Sequence, residues 1–136
     1  MLLTVLLGTM LVAQNAPACS GADPAIISVR VASSSPQAGN TIYHLSGVVQ
    51  NVGKAKQASN VLQFVEIGLG GTGKVDTRGI PPLAPGQKYA FGYDFKRSSD
   101  AGDGSSHLHF KLDFRQPSPP GAQNCNPAND EFTLRV

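Results

Sequence analysis

The stretch Ser106–Arg115 alternates apolar and polar positions without a fault. Leu108, Phe110, Leu112 and Phe114 share one parity; His107, His109, Lys111 and Asp113 share the other. Side chains on a strand point alternately to opposite faces, so the pattern predicts a strand with one dry face and one wet face. Its dry face needs a facing sheet, and the rest of the chain reads as what supplies it. Ala25–Ser33 holds Ile27, Val29 and Val31 at period two, and Ser34–Asn40 reads as a turn cluster. Thr41–Asn51 places Tyr43, Leu45, Gly47 and Val49 on one face. Asn60–Leu69 carries apolar residues on both parities, which predicts a central position in its sheet.

Lys74–Ile80 is a short polar strand. Pro81–Gly86 excludes helix and inner strand, and Pro85-Gly86 fits the centre of a type II turn. Lys88–Phe95 alternates Tyr89, Phe91, Tyr93 and Phe95. Gln116–Asn129 is irregular and rich in Pro and Asn. Asp130–Val136 closes the chain, with Phe132, Leu134 and Val136 at period two. No window past the first residues keeps a helical period. Strands at this spacing predict an all-β, antiparallel sandwich of about seven strands.

Composition agrees. The 136 residues fit one domain, Gly 15 and Pro 10 suit many turns, and a 40% apolar fraction sustains a core. A net charge of +2 with scattered Lys and Arg gives no basic stripe for nucleic acid. Residues 1–18 stand apart: Met1–Ala13 is uncharged and mostly apolar, and Ala16-Pro17-Ala18 is a small-x-small cleavage pattern. These residues read as a secretory signal peptide, too short to span a membrane, which leaves 19–136 as the mature domain. The protein is then secreted, extracellular or periplasmic, with no transmembrane segment. In that compartment Cys19 and Cys125 predict a disulfide. Closing a loop on the order of 100 residues is worth roughly 4–5 kcal/mol in the chain-entropy model. The competing reading lipidates Cys19 as a tether, although Ala16-Pro17-Ala18 is a poor lipobox.

Several turns, taken together, resemble the bacterial cell-adhesion-related domain (CARDB) family, from about Asp23 to Val136. Asp23 is similar to that family's opening acidic residue. Pro36-Gln37-Ala38-Gly39-Asn40, Val49-Gln50-Asn51-Val52-Gly53 and Leu83-Ala84-Pro85-Gly86-Gln87 resemble three of its turns. Asp113 resembles the family's acidic residue at the end of the Ser106–Arg115 strand, and Asn126–Asp130 resembles its Asn-rich approach to the last strand. The family's acidic run before that strand is largely replaced by Pro117–Cys125, which removes its support for a cation site in that loop. The resemblance implies an immunoglobulin-like sandwich, a role in adhesion or scaffolding and no shared catalytic residues. It also implies that first and last strands lie side by side and parallel, which would bring Cys19 and Cys125 to one end.

Candidate chemistry is sparse. Gly68–Lys74 contains G-x-G-x-x-G, but Val75 stands where magnesium needs a hydroxyl and no helix follows, so it reads as a hairpin turn. His107 and His109 point to the same side and form a candidate metal pair, with His44 the one further histidine; solvated surface histidines are the simpler reading. Asp94, Asp100, Asp103 and Asp113 lack a recognised calcium spacing. Ser, His and Asp occur without a nucleophile elbow, so no catalytic residue and no cofactor is expected. The expectation is a non-catalytic module binding a protein, a surface polymer or itself, as a homo-oligomer or fibre formed through sheet edges. Tyr43, Tyr89, Tyr93 and the end loops are its candidate contacts. The alternatives are a periplasmic metal-binding protein using His107 and His109, and an accessory domain of a secreted hydrolase system.

Overall fold

The computed structural model describes residues 20–102 and 104–136. Residues 1–18, which read as a signal peptide, lie outside the described residues, as do Cys19 and Asp103. Seven strands are described: β1 (Pro24–Gln37), β2 (Asn40–Asn51), β3 (Leu62–Leu69), β4 (Gly73–Ile80), β5 (Lys88–Ser98), β6 (His107–Gln116) and β7 (Glu131–Arg135). They form two antiparallel sheets, ordered β1-β2-β5 and β4-β3-β6-β7. The expected all-β sandwich is therefore present.

β6 lies inside its sheet, with β3 on one side and β7 on the other. Leu108, Phe110 and Leu112 are buried as their parity predicts, while Phe114 is half-buried at the strand's end. Across the sandwich they meet Leu45 and Val49 of β2 and Phe91 and Phe95 of β5 in one core. The Phe91 and Phe110 rings lie 6.0 Å apart, tilted by 43°, which joins the two sheets at the centre. Each fully buried aliphatic or aromatic side chain contributes about 1.5–3 kcal/mol, so this shared layer is the main source of stability.

β1 departs from the expected parity. Its pairing with β2 shifts between Ile26 and Ser28 and again between Val31 and Ser33. Such bulges exchange the two faces. The first leaves Ile26 and Val29 buried and turns Ile27 out, 40% exposed; Val31, paired with the buried Leu45, keeps Val29's face and is 39% exposed at the open edge. The serine-rich run read as a turn also continues the strand. The reversal needs only Ala38 and Gly39, with φ of 43° and 81°, between the paired Gln37 and Asn40. Two left-handed central residues define a type I′ hairpin turn.

β3 is interior as expected, but its second apolar face is not covered by another layer. Leu62 is 44% exposed, and Phe64 is half-buried beneath the Arg115 guanidinium, 4.3 Å from its ring centroid. Gly68–Lys74 lies at the β3–β4 hairpin, with no helix to cradle a phosphate.

Candidate functional site

At one end of the sandwich, where β1, β3 and β7 begin and β2 and β6 finish, polar side chains are buried in two adjoining groups. The first is built on Asn51, Gln57 and Gln63, which are 0%, 3% and 1% exposed. Asn51 Oδ1 accepts from the backbone N–H groups of Asp23 and Gly53, both at 3.0 Å. Its Nδ2 donates to the Ala55 and Leu83 carbonyls at 2.9 and 3.0 Å. Both donors and both lone pairs of the amide are used. Gln57 and Gln63 form a reciprocal amide pair at 2.9 and 2.7 Å. Gln57 also holds Leu83 N–H and the Gln123 carbonyl, and Gln63 holds the Pro81 carbonyl.

Two of the three turns carrying the CARDB resemblance meet here. The Gly86 N–H donates to the Asn51 carbonyl at 2.8 Å, and the Asn51 N–H to the Gln87 carbonyl at 3.0 Å. Gly53 is required for a close approach: a Cβ there would overlap the Gly21 carbonyl of the entering chain. These motif residues hold loops together and offer no reactive group.

The second group contains Asp23, Asn124, Asn129 and Asp130. Asn129 Nδ2 donates to Asp23 Oδ2 at 2.9 Å, and Asn124 Nδ2 donates to Asp130 Oδ2 at 2.6 Å. The remaining side-chain oxygens, Oδ1 of all four residues, are buried without a hydrogen-bond partner. Burial raises the Asp130 carboxyl to a pKa of about 6; Asn124 lowers it, while the negative charges of Asp23 and Glu131 raise it further. Asp23 and Asp130 are thus electrostatic neighbours although 107 positions separate them in sequence.

The sequence candidates fall elsewhere. His107 and His109 share the outer face of β6, beside Leu69, Gly70, Ser105 and Ser106, and the Thr133 hydroxyl lies 3.2 Å from His109 Nδ1. His44 is on β2 of the other sheet, 2.8 Å from Asp94. The three histidines do not converge. Among the described residues, no three His, Cys, Asp or Glu side chains gather around a common point. Asp94 and Asp113 belong to different sheets, and Asp113 faces Arg115. Tyr43 packs on Phe95 and accepts from Arg97 at 2.8 Å; Tyr93 is half-buried under Arg78. Only Tyr89 of the three tyrosines presents an exposed ring, at 38%.

No free cysteine occurs among the described residues. The Cys125 N–H donates to the Ala22 carbonyl at 3.1 Å, and the Ala22 N–H donates to the Ala122 carbonyl at 2.9 Å. The entry segment therefore lies against the loop holding Cys125, three residues beyond Cys19 in sequence.

Comparison with known proteins places this arrangement in a fold class. No protein-family model matches the chain, and no curated protein matches it in sequence. Among solved structures, it is similar to the crystal structure of the CARDB domain of a Pyrococcus furiosus protein in complex with di-metal ions. The likeness has a TM-score of 0.62 and 14% identity, and covers 90% of this chain and 92% of that one. The fold is thus the immunoglobulin-like sandwich of a CARDB domain. Among the described residues, no helix is long and apolar enough to cross a membrane.

Proposed function

We propose that this chain is an exported, non-catalytic adhesion or scaffolding module of a bacterial surface, with residues 19–136 as its mature domain. The CARDB-like sandwich over 90% of the chain is the observation that carries this reading. The signal-like pattern of residues 1–18 supports export, and the contact between Ala22 and the Cys125 loop supports a Cys19–Cys125 disulfide in place of a lipid tether. Three residues of extended chain reach about 10 Å, which spans the separation a disulfide needs. The partner is a surface protein, a surface polymer or a second copy.

Self-association would run through β1, the longest edge strand, which turns Ile27 outward and leaves Val31 partly exposed along its open edge. The β5 edge is obstructed instead: Arg78 Nε donates to its Gly92 carbonyl at 2.9 Å. The di-metal complex of the Pyrococcus domain supports including divalent cations among the ligands tested. Intact mass of the exported protein, with and without reductant, tests the reading. Cleavage after Ala18, a gain of two hydrogen atoms on reduction and no lipid are expected. Retention of residues 1–18 or a lipid adduct would overturn it. On sizing, an oligomer that dissociates in Val31→Lys supports the edge contact, and a monomer at all concentrations removes it.

A further inference from the structure

We infer that Asp23, Asn124, Asn129 and Asp130 form a binding site for one calcium-type divalent cation, at the junction of the entering chain with the loop before β7. The inference does not depend on the adhesion reading.

A carboxylate only accepts, so each asparagine turns its NH₂ toward a carboxylate and leaves its carbonyl oxygen on the other side. Both carboxylates then have one oxygen left over, as do both amides. Four buried oxygens remain and none has a donor. Asp23, Asn124 and Asp130 are 5%, 7% and 7% exposed, so bulk water does not supply one. Buried polar oxygens without a partner are costly, and a group of four calls for an explanation. One enclosed water brings two protons and would satisfy two of them. A cation satisfies all four.

The ligand chemistry selects the ion. Two carboxylates and two amide carbonyls are hard oxygen donors carrying two formal negative charges, with no imidazole or thiolate among them. Calcium accepts six to eight such oxygens in flexible geometry, whereas magnesium keeps most of its water and demands a near-ideal octahedron. Surrounding backbone carbonyls and water would complete the shell. The scaffold is also firm: the Asp23 N–H is fixed by Asn51, and the Asp130 carbonyl accepts from Leu112 N–H at 2.9 Å.

Sequence spacing hides this site because its first carboxylate stands at the start of the domain and the other three side chains near its end. The missing acidic run before the last strand argues against a loop-contained site and leaves this cross-chain one intact.

Calcium chloride titrated calorimetrically into the chelator-treated, oxidised mature protein is the test, with thermal unfolding alongside. Binding of one calcium per chain and a calcium-dependent rise in Tm are expected. Asp130→Asn should weaken binding by about tenfold or more, as should Asp23→Asn, because each removes a charge from the ligand set. Asp94→Asn, on the outer face of β5, should bind as the parent does. No heat and no Tm shift at millimolar calcium would overturn the inference, leaving a protonated Asp130 to satisfy part of the group. Should either variant fold poorly, the parent isotherm and its stoichiometry still decide. Loss of calcium binding leaves the export and disulfide measurements untouched, so the two readings fail separately.

Discussion

The two buried polar groups at the end of the sandwich sit side by side and follow opposite rules. Around Asn51, Gln57 and Gln63, the amide groups meet donors and acceptors from several segments. Around Asp23, Asn124, Asn129 and Asp130, four of the six side-chain oxygens find nothing. They even share a residue: the Asp23 backbone N–H belongs to the first group and its carboxylate to the second. A saturated group fixes loops. A group short of donors is poised for something from outside. Burial alone does not separate the two; the count of donors against acceptors does.

That contrast is most easily broken at Asn51. Asn51→Ala leaves two buried N–H donors and two carbonyls without their partner, and should cost about 3 kcal/mol or more in urea unfolding. The Gln57–Gln63 pair should show coupling. In a double-mutant cycle with leucine, the two single changes should sum to at least about 1 kcal/mol more than the double change. The deficient group should respond with the opposite sign. Asp130→Asn removes a buried charge from the metal-free protein and should stabilise it at pH 7 by about 1–2 kcal/mol, while it weakens calcium binding. A destabilised Asp130→Asn in chelator would place this group with the saturated one.

The pH response of the metal-free protein sharpens the same point. Asp130 has a pKa of about 6 in the fold against an ordinary value of 3.8, chiefly because burial opposes its ionisation, with Asp23 and Glu131 adding to this and Asn124 and Lys111 working against it. Between those values the folded chain keeps a proton that the unfolded chain has released. Asp130's contribution to stability is therefore fully present below pH 4, is lost as pH rises through 6, and levels off above. Asp130→Asn should remove this slope. The smallest effect is expected at the opposite end, where neither group is touched. Ala38→Asn gives the type I′ turn its preferred residue at φ 43° and should add about 0.5 kcal/mol, leaving calcium binding unchanged.

The architecture was legible in the sequence because alternation is a local signal. The buried face of β6 follows directly from Leu108, Phe110 and Leu112. β1 shows where local reading fails: the bulge between Ile26 and Ser28 depends on pairing with β2 and turns Ile27 out, while Val31 keeps the face of Val29 and is exposed because β1 is an edge strand. The candidate site failed for a related reason. His107 and His109 stand out because they are close in sequence, yet His44 folds into the other sheet. Asp23 and Asp130 belong to one group only through the folded chain. Even so, Asp23 and Asn126–Asp130 stand at motif positions of the sequence. What the sequence could not show was which of their atoms lack a partner.

The most direct test is a crystal structure of the mature protein grown in calcium and compared with one grown in chelator. A single calcium is predicted among the Oδ1 atoms of Asp23, Asn124, Asn129 and Asp130, about 2.3–2.6 Å from each. A water in that position in both crystals, or a direct hydrogen bond from a protonated Asp130, would contradict the account.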